Sequence, residues 1–102
     1  MNDRLQVAVR HVDGNHDLET RVREHFETVL DGFPRLTLCR VTIEAPSAHH
    51  RQGSWQVAVE SHLPGVEVPV LHEKSSDVED AIHASAKALK KKLREINERI
   101  IG

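Results

Sequence analysis

At 102 residues the chain is long enough for one domain with a modest buried core that needs no disulfide or metal staple. Its formal charge of −2, from 14 Lys and Arg against 16 Asp and Glu, excludes a uniformly basic nucleic-acid coat. A single cysteine excludes an internal disulfide, and charges interrupt every apolar stretch well short of the roughly 20 residues a membrane helix requires.

In chain order, Leu5, Val7 and Val9 alternate with Gln6, Ala8 and Arg10, which predicts a half-buried first strand. After the turn-prone Asp13-Gly14-Asn15, the positions Leu18, Val22, Phe26, Val29 and Phe33 recur at helical spacing. Asp17 and Glu19 favour the positive N-terminal end, and Gly32 and Pro34 end this first helix. Cys39, Val41 and Ile43 alternate in a second strand, and Trp55, Val57 and Val59 in a third. Leu63-Pro64-Gly65-Val66 fits a type II turn, because Pro presets the second residue and Gly takes positive φ at the third. Val66, Val68 and Val70 then predict a fourth strand, at an edge or bulge because Pro69 has no amide donor. Val78, Ile82, Ala86, Leu89, Leu93, Ile96 and Ile100 define a long second helix. Ser75 or Ser76 is positioned to cap it, with Asp77, Glu79 and Asp80 at its positive end.

The expected fold class is therefore α+β, a single domain over residues 1–102 in the order β-α-β-β-β-α. Consecutive strands and single helices point to a four-stranded antiparallel sheet with both helices packed on one face. Trp55, Val57 and Val59 are expected to meet Ile82, Leu89 and Leu93 across that interface. No charged-then-apolar leader opens the chain, so the expected compartment is the cytoplasm.

Charge is distributed unevenly. Residues 1–34 hold four Arg against seven acids, whereas residues 87–94 hold five basic side chains and no acid. At about 100° per residue, His83, Lys87, Lys90, Lys91 and Arg94 fall in one arc opposite the apolar stripe of the second helix. Ammonium groups at one-turn spacing can follow a phosphate backbone, each contact releasing counterions without reading sequence. A solvated helix face would show the same run of charge. The only aromatics, Phe26, Phe33 and Trp55, offer few platforms for unpaired bases, which favours backbone recognition over base readout. Arg10, Arg51 and Lys74, near strand ends and loops, form a second set of candidate phosphate contacts.

Eight histidines raise the question of a metal site. His49 and His50 are adjacent, no pair stands at i, i+4 on a helix, and one Cys supplies no thiolate cluster, so no metal or other cofactor is expected. Loop imidazoles near Arg51 could instead donate to phosphate oxygens and titrate near neutral pH. No Gly-rich phosphate loop, nucleophile elbow or HExxH motif is present, and Cys39 alternates with core positions. No catalytic residue is therefore assigned, no enzyme activity is expected, and no small-molecule substrate is implied.

His50-Arg51-Gln52-Gly53 before the third strand, the Leu63-Pro64-Gly65 turn with Glu67 after it, and Asp77 through Ala81-Ile82 at the last helix occur in a telling order. Together they resemble the ribosome hibernation and ribosome-associated inhibitor family, also called sigma-54 modulation proteins, over nearly the whole chain. The resemblance implies a fold similar to double-stranded-RNA-binding domains and a place in the decoding channel of the small ribosomal subunit, where bound protein occludes messenger and transfer RNA. It also implies a short form, because the sequence given ends just after its second helix, and a role in stress and stationary phase. Lys91 and Lys92 match positions usually basic or polar in the family. Ala88 stands where a Lys before Leu89 is typical, and Glu95 where another Lys is common. The alternative reading is a protein-binding regulatory module that kept the fold and lost ribosome affinity, and it is favoured by net acidity. A small RNA-processing enzyme is a third class without a supporting motif.

Overall fold

The computed structural model describes residues 3–10, 16–46 and 53–101. Its elements are β1 (Leu5–Arg10), α1 (His16–Asp31), β2 (Leu38–Glu44), β3 (Trp55–His62), β4 (Leu71–Ser75) and α2 (Val78–Ile101), and the α+β class and element order match the sequence reading. The strands lie side by side in the order β1-β2-β3-β4. Inward-facing Cys39, Val41, Ile43, Val57 and Val59 share one buried cluster with Leu18, Val22, Phe26 and Leu30 of α1 and Ile82, Leu89 and Leu93 of α2. Both helices therefore cover the same face of the sheet. The expected meeting of β3 with α2 is present, with Trp55 half-buried at the margin rather than sealed inside.

The sheet is mixed, not antiparallel throughout. β1 pairs with β2 in parallel, Leu5 opposite Cys39 and Val9 opposite Ile43, whereas β2–β3 and β3–β4 are antiparallel. The cause is α1: a helix between neighbouring strands carries the chain back to the end where the first strand began, so the next strand runs the same way.

The fourth strand is displaced from its expected position. The Pro64-Gly65 turn forms as expected, with Val66 N donating to Leu63 O at 3.1 Å and Gly65 at φ 77°. At the turn Leu63 stands opposite Val66, but further along Val59 stands opposite Leu71. Four residue steps on one chain thus face five on the other, so the returning chain holds an extra residue and the segment 67–70 leaves the ladder. Pro69, without an N–H, lies in that segment. Pairing resumes only at Leu71–Ser75, and the valine alternation that suggested a strand falls on unpaired chain.

Two helix ends are secured differently from expectation or by unforeseen residues. Asp77, not Ser75 or Ser76, caps α2: its Oδ1 accepts from Glu79 N at 2.9 Å, while Ser75 Oγ accepts from Asp77 N at 3.2 Å. Ser75 steadies the cap from one position behind. At the C-terminal end of α1 the Arg4 guanidinium donates to the carbonyls of Leu30 (3.0 Å), Phe33 (3.1 Å) and Leu36 (2.8 Å). A cation there ties the end of α1 to the turn that follows it and meets the negative end of the helix dipole.

Candidate nucleic-acid interface

The inward face of α2 is fixed by Ile82, Leu89 and Leu93, each essentially inaccessible, so the opposite side is turned to solvent. His83, Lys87, Lys90, Lys91 and Arg94 are all exposed there. No acid interrupts the run between Lys87 and Arg94. The helix can therefore present a row of donors and positive charge to a polyanion at one-turn spacing.

Lys92 belongs to another flank. Its side chain is half-buried and its Nζ lies 4.0 Å from Glu95 Oε2, so Glu95 offsets its charge. Arg10 and Lys74 are exposed on the far face of the sheet, in one cross-strand row that runs Arg10, Glu44, Gln56, Lys74. The two cations sit at opposite ends of that row, with Glu44 between them. The ridge and the Arg10/Lys74 pair thus lie on opposite sides of the domain and cannot bind one flat surface together. Arg51, the paired His49 and His50, and the Asp13-Gly14-Asn15 turn lie outside the described residues.

Two side chains that the helical arc did not include join the ridge across the interhelix boundary. His25 of α1 meets His83 of α2 edge to face, with ring centroids 6.0 Å apart, beside an open groove of about 390 Å³ that Lys87 and Lys90 also line. Arg21 lies one turn before His25 and holds Glu79 Oε1 at 3.0 Å. The available signal was the position of Arg21 and His25 beside the buried Val22, Phe26 and Val29; what they meet depends on how α1 lies against α2.

Cys39 is buried, and burial pushes its thiol up to about 12, with nearby Arg4 opposing the shift. A thiol held protonated is a packing group rather than a nucleophile. Among the described residues no group of three or more His, Cys, Asp or Glu is placed to hold a metal ion. No helix among them is long and apolar enough to cross a membrane.

The four-stranded mixed sheet with two helices on one face, in the order β-α-β-β-β-α, is the fold of ribosomal subunit interface proteins. It superimposes on the structure of a ribosomal subunit interface protein from Coxiella burnetii with a TM-score of 0.76 at 13% identity, covering 92% of this chain and 97% of that one. It is also similar to the Thermus thermophilus Protein Y N-terminal domain, with a TM-score of 0.72 at 14% identity, over 94% of this chain and 99% of that one. The family model described as "Sigma 54 modulation protein / S30EA ribosomal protein" matches residues 5–101, and the chain belongs to that family, one of ribosome-associated factors rather than enzymes. Among proteins of curated function, none matches it in sequence.

Proposed function

We propose that this protein binds the small ribosomal subunit through ribosomal RNA, using the outer face of α2, and inhibits translation by occupying the decoding channel. The observation that carries this reading is the uninterrupted exposed ridge of Lys87, Lys90, Lys91 and Arg94, with His83 at its start, in a chain whose formal charge is −2. A domain that is acidic on balance and concentrates cations on one helix face is built to dock on a phosphate backbone in one orientation. Arg10 and Lys74 take a secondary role, on a second RNA element reached from the sheet side, and Arg51 is a further candidate phosphate contact. The protein acts by occupancy, in the cytoplasm, when growth slows, and turns over no nucleotide, RNA or ester.

A lysate from stationary cells, sedimented through sucrose with the protein followed by antibody, tests this. Co-migration with small subunits or whole ribosomes is the expected result, together with inhibition of translation in a purified system. A second reading, a regulatory module that binds another protein, draws on the acidic side chains of α1 (Glu24, Glu27 and Asp31). Recovery only at the top of the gradient would favour it.

A further inference from the structure

We propose that the groove between α1 and α2 is a proton-gated seat for an RNA phosphate, with His25 and His83 as the gate. This rests on the ribosome-binding reading and concerns the regulation of that same surface. The imidazoles come from different helices and stand in edge contact, 6.0 Å between centroids, at the mouth of a groove lined also by Glu24, Thr28, Lys87 and Lys90.

The fixed charges around the two rings cancel. From α1 come Arg21 and Glu24; from α2 come Glu79 and Asp80, within one turn before His83, and Lys87 and Lys90 after it. Arg21 already engages one oxygen of Glu79 at 3.0 Å, and the other lies 3.8 Å from His25 Nε2. Beneath the groove Val29 and Ala86 contribute no charge. With three cations set against three anions, the protonation state of the imidazoles decides the sign of the groove, and histidine is the side chain that changes charge between about pH 5 and 8.

The two rings stand at one groove mouth beside Lys87 and Lys90. A phosphate oxygen seated among them accepts hydrogen bonds from both rings, and its negative charge favours the imidazolium form of each. Phosphate binding and proton uptake are then linked, and affinity rises as pH falls. The seat opens onto a ridge that continues along α2 through Lys91 and Arg94, so its ligand is one phosphate of a polymer.

The test measures affinity of the full chain for purified small ribosomal subunits at constant ionic strength between about pH 8 and pH 6. The wild type should tighten by about tenfold or more across that range, the response of roughly one proton taken up on binding. His25→Gln with His83→Gln should flatten the response, while His62→Gln, at the far end of the sheet, should keep it. Wild-type affinity that ignores pH, or a double variant that keeps the full response, would overturn the gate. So would inorganic phosphate that abolishes the response while leaving subunit affinity intact, because a free ion would then fill the seat. Replacement of Lys87, Lys90, Lys91 and Arg94 by Gln separates the two levels. If that variant loses binding while wild-type binding ignores pH, the gate falls and the ribosome reading stands. If the variant binds like the wild type, the ridge is not the RNA site and the gate falls with it; if the wild type itself does not bind the subunit, the ribosome reading falls.

Discussion

The helix side and the open side of this sheet bear the same kinds of charged residue in opposite arrangements. On the open side cations are interleaved with acids: Arg40 donates to Gln6 Oε1 at 3.2 Å and to Glu60 Oε2 at 3.4 Å, and Glu44 stands in the row between Arg10 and Lys74. On the outer face of α2 the cations from Lys87 to Arg94 follow one another with no acid between them. The difference teaches that the number of basic residues says little about phosphate affinity. Cross-strand neighbours on a sheet pair opposite charges at short range, whereas a helix arc can gather like charges and leave their field unspent.

The sharpest way to break this comparison is to remove charge from each side in turn. Replacing Lys87, Lys90, Lys91 and Arg94 with Gln should severely weaken ribosome binding and flatten the plot of log affinity against log salt by roughly 3, at about 0.7 to 0.9 per lost phosphate contact. Arg10→Gln with Lys74→Gln should change that slope by much less. Equal effects from the two sides would show that the interleaved acids do not matter. Thermal melting should shift little in either variant, because all these positions are exposed and, on α2, Gln keeps helix propensity.

A second contrast concerns stability. Leu89→Ala, under the ridge, should cost roughly 2 to 5 kcal/mol in chemical denaturation, the usual range for truncating a buried leucine. Thr42→Ala, in the centre of the open face, should cost less than about 1 kcal/mol, since no other layer packs on it. An unchanged midpoint for Leu89→Ala would mean that α2 is rotated from the register that places the ridge outward.

Smaller effects test the supports at the edges. Arg4→Ala should destabilise by about 1 to 3 kcal/mol, because it strips donors from carbonyls in the last turn of α1 and the segment after it. Arg4→Lys should recover only part of this, since an ammonium cannot span three acceptors as a planar fork does. The mildest prediction concerns Cys39. It should resist thiol reagents at pH 8 until the protein is unfolded. Because burial holds its folded thiol at about 12 against 9 for an ordinary exposed thiol, the folded state keeps the proton longer. Stability should therefore decline as pH rises from 9 towards 12, and be unaffected by this group below 9.

Periodicity along the chain determined α1, β2, β3 and α2, the Pro64-Gly65 turn, the buried stripe and the ridge opposite it, because each depends on residues a few positions apart. The spacing of Leu89 and Leu93 against Lys87, Lys91 and Arg94 settles which side of the helix is wet, whatever it packs on. Tertiary structure decided what depends on partners far along the chain. The parallel pairing of β1 with β2 follows from where α1 returns the chain, and the late start of β4 from a one-residue slip that the Val66, Val68, Val70 alternation cannot reveal. Arg4 reaches carbonyls more than 25 residues away, and His25 meets His83 across a helix boundary. The division of the candidate cations between two faces belongs to the same class: Arg10 and Lys74 read only as a second set near strand ends and loops, and strand register puts them in one row on the side of the sheet away from the ridge.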